Sequence, residues 1–207
     1  TPLYSSAASD VYKRQIQQIS STPTSGGGGA ELPSISYDGS VVTFDAVGQS
    51  GVNVQEIWRW VEGDGLTRIT EVGGQNTFSD VDGSGNRISF FSTANHAGQN
   101  ADGQRELFRW DANTEDFVQM TQGNELVDVI EVDGTGARTV FTSQDPLVGA
   151  NADGEEEVYR ATCQTFSDVG TNNQFFDDVE WMAAHGISTG FDDGTYRPTT
   201  PVSRGAM

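Results

Sequence analysis

The sequence predicts a mainly β protein: an incomplete β-propeller of four-stranded repeats, followed by a small, truncated helical module. Three observations carry that expectation. The pentapeptide Glu56-Ile-Trp-Arg-Trp60 returns as Glu106-Leu-Phe-Arg-Trp110 and, less completely, as Glu157-Val-Tyr-Arg-Ala161, at spacings of 50 and 51 residues. Ser20, Thr70 and Thr121 keep the same step, closing the segments IQQIS, LTRIT and FVQMT. After Thr165 the strand-and-turn texture gives way to a helix-like stretch and a loop rich in glycine, proline and threonine.

Within residues 16–162 each period offers four strand candidates: one near LPSISY, a second ending at Phe44, a third at EIWRW and a fourth at LTRIT. Asp38-Gly39, Asp82-Gly83 and Asp133-Gly134 each precede a β-rich run, the signature of a turn entering a strand. Strand alternation puts Ile57 and Arg59 on one face and Glu56, Trp58 and Trp60 on the other, with the aromatics expected to pack between blades. Four short strands per repeat is the make-up of a propeller blade. These features resemble the WD40-like or TolB-type propeller repeats of bacterial surface proteins over Ile16 to Arg160. With IQQIS as a closing strand, two full repeats and a third that stops after EVYRA, the array holds about three blades, whereas closed propellers use 4 to 8. An open stack leaves an apolar face and a strand edge exposed, so the parent protein is expected to be longer at its N-terminus. Residues 1–15 are set aside from the fold, because Leu3 to Gln15 resembles a translated sequencing-adaptor tail and lacks the apolar periodicity needed to dock on a core.

Two loops repeat almost letter for letter, Asn100-Ala-Asp102-Gly103-Gln-Arg-Glu106 and Asn151-Ala-Asp153-Gly154-Glu-Glu-Glu157. Oxygen side chains at alternate positions around a glycine are a geometry that wraps Ca2+, which makes Asn100, Asp102, Glu106, Asn151, Asp153 and Glu157 candidate ligands. The same residues also form ordinary turns, since Asn and Asp hydrogen-bond their own backbone, and the first repeat carries Ser50-Gly51-Val52-Asn53-Val54 instead.

With 11 basic against 30 acidic side chains the formal charge is -19, which repels nucleic acids and anionic membranes. Cys163 is the single cysteine, and His96 and His185 are the two histidines, so a cysteine- or histidine-rich zinc site is poorly supplied. No apolar run is long enough to span a bilayer as a helix.

Asp177 to His185 combines acids in its first turn, apolar Val179, Met182 and Ala183 at helical spacing, and Gly186 at the stop, which predicts a short amphipathic helix. Around it stand Phe166-Ser-Asp-Val169, Gly186-Ile-Ser-Thr-Gly190, Asp193-Gly-Thr-Tyr-Arg-Pro198 and Val202-Ser-Arg-Gly-Ala206. In that order and spacing, over residues 166–207, they resemble the S-layer homology domain, with Ala206 where the family has glutamate and the second helix missing. The resemblance implies a role in holding cell-wall polysaccharide, with Arg204 contacting an anionic sugar and Asp193, Gly194 and Thr195 assisting. A planar guanidinium suits that task because it pairs bidentately with a carboxylate and keeps its charge.

The expected function is that of a secreted, non-catalytic protein of the cell surface or cell wall, anchored by the module and presenting the propeller to a protein or glycan partner. Two alternatives stand beside it: the propeller and targeting portion of a secreted hydrolase, and a calcium-dependent adhesion module. Against the first, the sequence has no G-x-S-x-G elbow.

Overall fold

The computed structural model describes residues 16–20, 29–47, 54–71, 73–123, 126–149, 151 and 153–200. Among the described residues, eleven strands form three antiparallel sheets. The first blade joins β1 (Ala30–Ile35), β2 (Val41–Val47), β3 (Gln55–Val61) and β4 (Gly65–Arg68) in sequence order. The second repeats the pattern with β5 (Asn76–Val81), β6 (Arg87–Ser92), β7 (Glu106–Asp111) and β8 (Asp116–Gln119). The third has β9 (Leu126–Val132), β10 (Arg138–Ser143) and β11 (Glu157–Thr162), with no fourth strand on β11 among the described residues. This is the incomplete propeller of four-stranded units that the repeats predict. The expected closing strand at Ile16–Ser20 is the exception, for that segment is not in a strand and Ile16 is fully exposed. An outermost strand gains its hydrogen bonds only from the third strand of its own blade, and no such neighbour lies beside it.

The repeated pentapeptide explains how the blades stack. Ile57 is fully buried against Ile88, Phe90 and Phe108 of the second blade. Leu107, one repeat later, packs with Phe91 against Phe141 of the third. Burial of each such side chain contributes about 1.5–3 kcal/mol. Trp110 is buried against the first blade as the alternation predicts, while Trp58 and Trp60 are half-buried.

The pentapeptide's charged residues hold the repeat together from within. Glu56 is buried, and its Oε2 accepts a hydrogen bond from Thr70 Oγ1, which itself accepts from the Ile57 amide. Glu106 does the same with Thr121 and the Leu107 amide, and its Oε1 accepts from the Gly123 amide at 2.8 Å. The glutamate of the third strand is thereby clamped to the hydroxyl that ends the fourth. The arginines work between blades: Arg59 Nε donates to the Gly85 carbonyl at 3.1 Å, and Arg109 Nη1 to the Gly136 carbonyl at 3.4 Å. Each arginine thus reaches a turn of the following blade.

Those turns correct one sequence register. Asp82 and Asp133 each anchor a β-turn, accepting from backbone amides on the far side, and their own amides donate to the carbonyls of Arg87 and Arg138. In the first blade the amide making that bond belongs to Ser36, to the Val41 carbonyl, so Ser36 rather than Asp38 is the counterpart of Asp82. Gly39, Gly85 and Gly136 then share one position with φ of 77°, 77° and 68°, a left-handed conformation that glycine adopts without steric cost. Asp38 is two residues out of step with the other aspartates, where it bonds Ser36 and Ser40 instead.

Asp45 departs from this economy. Its carboxylate is buried with neither oxygen hydrogen-bonded to a described side chain or backbone donor, and desolvation pushes its pKa up to about 7. A carboxyl with a raised folded pKa stabilises the fold while protonated, and that contribution is lost as pH rises from its ordinary value near 4 through about 7. Half-buried His96, which desolvation depresses to about 4, works oppositely, losing stability as pH falls below about 6.5. The difference between Asp45→Asn and the parent chain isolates the carboxyl: in urea unfolding the variant is expected to gain relative stability steadily from pH 4 to 8, by on the order of 1 kcal/mol or more.

Candidate functional site

Helix α1 (Phe176–Ala184) carries Asp177 and Asp178 in its first turn, where carboxylates favour the helix dipole. It buries Phe176, Val179 and Ala183 against Phe166 and Val169, and against Ala137 in the β9–β10 turn. Glu180 is fully buried on the same face. Its Oε2 meets Arg87 Nη1 at 2.9 Å and accepts from Thr165 Oγ1, while Oε1 accepts from the Thr165 amide at 2.7 Å. Arg87, itself buried, also pairs with Asp111 at 3.0 Å and donates to the Thr135 carbonyl. Arg138, the same turn position one blade on, reaches Asp177 at 2.6 Å and lies over the Phe176 ring. At the helix end the Ala184 carbonyl accepts from Asn86 Nδ2 at 2.8 Å. The module is therefore seated on the turns of the second and third blades.

The loop that follows α1 is held by one aspartate. Asp168 accepts from the amides of Tyr196 and Arg197, each at 2.7 Å, and those bonds hold its carboxyl below the usual range. Asp193 accepts from Thr195 Oγ1 and from Arg197 Nη2 at 2.7 Å, and these contacts lower its pKa to about 2. Arg197 stacks over Phe191 with its guanidinium carbon 4.0 Å from the ring centroid. The result is an exposed loop presenting a fixed guanidinium over an aromatic face. Of the residues predicted from sequence, Asp193, Gly194 and Thr195 lie together in this loop, with Gly194 making its tight turn at φ 74°. Arg204 lies outside the described residues. Arg197 was visible inside the D-G-T-Y-R-P motif, but no sequence signal marked its stacking on Phe191.

The acidic loops are organised from within. Asn100 is buried and its Nδ2 donates to the carbonyls of Ala94 and Gln104. Asp102 accepts from the Gln104 amide, and Glu106 faces away into its clamp with Thr121. In the second loop Asn151 bonds the carbonyls of Gln144 and Glu155, Asp153 accepts from the Glu155 amide, and Glu157 is exposed. Among the described residues no three His, Cys, Asp or Glu side chains form a group that could hold a metal ion.

A cleft of about 510 Å3 opens along the first two blades, lined by Arg59, Arg68, Glu71, His96, Trp110 and Phe117 among others. Ser92 Oγ lies 3.0 Å from His96 Nε2. Ser92 is wholly buried, bonds Asn76 Oδ1 and accepts from the Ala94 amide, while His96 stacks on Phe117. The Ser92 hydroxyl is thus enclosed by its partners, while half-buried His96 borders the cleft.

The family model of the S-layer homology domain matches residues 165–207. In the terms of that domain, F-x-D-V supplies the aspartate that clamps the D-G-T loop, and α1 carries the glutamate that seats the module on the blades. No curated protein matches the chain. Among solved structures the chain is similar to TolB from Acinetobacter baumannii, at 16% identity and a TM-score of 0.46, covering 68% of this chain and 33% of that one. It is also similar to the putative TolB from Agrobacterium tumefaciens, at 20% identity and a TM-score of 0.45, covering 66% of this chain and 52% of that one. A third is acylaminoacyl peptidase from Pyrococcus horikoshii, at 13% identity and a TM-score of 0.42, covering 57% of this chain and 18% of that one. The chain thus spans about a third of the first structure's length and about half of the second's.

If Asp168 is what holds the loop, Asp168→Ala frees two amides at once. Hydrogen exchange at Tyr196 and Arg197 is expected to quicken by roughly tenfold, with exchange in β6 and β7 unchanged.

Proposed function

We propose that this chain is a non-catalytic protein of the cell surface, held to anionic cell-wall polysaccharide by its C-terminal module while its blades present a surface to a protein or glycan partner. The observation that carries this reading is the S-layer homology match at residues 165–207, falling on the loop that displays Arg197 over Phe191. A guanidinium backed by an aromatic ring can pair with a carboxylate on a sugar while the ring packs on the sugar's apolar face. Arg204 adds a second cation to that surface by resemblance. Ser92, whose hydroxyl contacts half-buried His96, is itself wholly buried, which supports a binding rather than a hydrolytic role.

Cosedimentation with purified bacterial cell walls tests the reading. The chain is expected to pellet with intact walls, to stay in solution with walls stripped of their secondary polysaccharide, and to bind several-fold more weakly as the double variant Arg197→Ala, Arg204→Ala. Equal binding to stripped walls, or none to intact walls, contradicts it.

A further inference from the structure

The cleft of about 510 Å3 between the first two blades has a counterpart, a groove of about 330 Å3 between the second and third. The two are built alike. Ile69 lines the first and Met120 the second, and their amides donate to the carbonyls of Ile57 and Leu107. Ser92 and Ser143 open the same turn, each hydroxyl accepting from the amide two residues on. Three positions nevertheless differ in kind. His96 lines the first cleft where Leu147 lines the second groove, and Trp110 does so where the second has Ala161. Arg68 ends the fourth strand of the first blade, at the place Gln119 takes in the second. Blades stack with leucine, alanine and glutamine at these positions, so stacking does not account for an imidazole, an indole and a guanidinium.

The hydrogen bonds around His96 settle which of its nitrogens is free for a ligand. Asn76 Nδ2 is surrounded by acceptors, the carbonyls of Gln55 and Gly74 and the Glu56 carboxyl, so Oδ1 is the atom that meets His96. That oxygen accepts from Ser92 as well, and an oxygen that only accepts requires a donor, so His96 Nε2 carries the proton and donates at 2.9 Å. Nδ1 is left as a bare acceptor, without a partner among the described residues and not sealed from solvent. The first blade forms the other wall with Arg59 and Arg68. Arg59 commits Nε to the Gly85 carbonyl and Nη2 to Asn86 Oδ1, which leaves Nη1. Burial pushes its pKa down against the pull of Asp64 and Asp82, as expected of a guanidinium short of a close anion. Arg68 meets Glu71 at 3.4 Å, a loose pairing with a carboxylate that is mostly in solvent.

We propose that this cleft binds a sugar acid, with the carboxylate on Arg59 and Arg68, a ring hydroxyl donating to His96 Nδ1, and the apolar face of the ring against Ile69, Trp110 and Phe117. The inference rests on the reading of the blades as a binding surface and gives that surface a site and a ligand class. The polar groups stand on both walls, guanidiniums from one blade and imidazole from the other, with apolar side chains beside them. A ligand must therefore be polar along two edges and apolar on a face, as a sugar acid is. A peptide terminus would set its last apolar side chain against one of the polar walls. The volume lies within the range of small-ligand sites, roughly 300–1,000 Å3.

Titration of the full chain with glucuronate, followed residue by residue in two-dimensional amide NMR spectra, tests the proposal. Saturable shifts are expected at Arg68, Ile69, Ala112 and Phe117, with a dissociation constant in the millimolar range. Glucose, which lacks the carboxylate, and the variant Arg68→Gln are each expected to bind about fivefold or more weakly. His96→Leu copies the side chain that the second groove already accommodates, and is expected to weaken binding with the spectrum of the third blade unchanged. Equal binding of glucose, equal binding by either variant, shifts confined to Tyr196 and Arg197, no saturable shift, or tighter binding of a peptide with a free C-terminal carboxylate overturns the proposal. Wall binding by the module is read separately: lost cleft shifts with walls still bound sink the cleft alone, and the reverse result sinks the anchoring role alone.

Discussion

The arrangement depends on a buried ion pair. Arg87 and Glu180 are both essentially inaccessible to solvent and 2.9 Å apart, and every other polar contact around them belongs to the same network. A buried pair of this kind adds little net stability over an apolar pair of the same shape, because desolvating two charges offsets their attraction. Its force lies in what it forbids. Shifting α1 along the blades parts Glu180 from Arg87 and Thr165 while both stay covered, so the helix has one favoured seat. The turn that supplies Arg87, the loop that supplies Thr165 and the helix that supplies Glu180 must therefore be placed together.

The same logic, in weaker form, runs through the array. Apolar residues make the blades stack, but the polar residues of the repeated pentapeptide decide how. Its glutamate fixes the fourth strand by a hydroxyl 14 or 15 residues away, and its arginine reaches across to the next blade's turn. A stack of sheets held by hydrophobic contact alone could slide in register; one in which each arginine must find a turn carbonyl cannot. The module exploits the same turns, since Arg87 and Arg138 occupy one repeat position and both face α1.

Much of this was legible in the sequence, for identifiable reasons. The period, the four strands per repeat and the helix at 176–184 follow from local spacing, and the module's motifs stand in order along the chain. What was not legible depends on distant partners. Glu106 reads as a candidate metal ligand because Asn, Asp and Gly precede it; its hydrogen bond from Thr121 joins residues 15 positions apart, which no local motif announces. Asp38 reads as the equal of Asp82 because both precede glycine, whereas the backbone counts from Ser36. IQQIS reads as a strand, yet a strand needs a neighbour that the letters do not supply. Arg87 and Glu180 lie 93 residues apart with no pattern linking them.

The most direct test of this account is a double-mutant cycle on the buried pair, read by urea unfolding. Arg87→Met and Glu180→Met are each expected to cost about 3–5 kcal/mol, and the double variant far less than their sum, because each single change takes from the other charge its fully buried partner. Single costs under about 1 kcal/mol, or costs that simply add, would show that the pair does not fix the module on the blades.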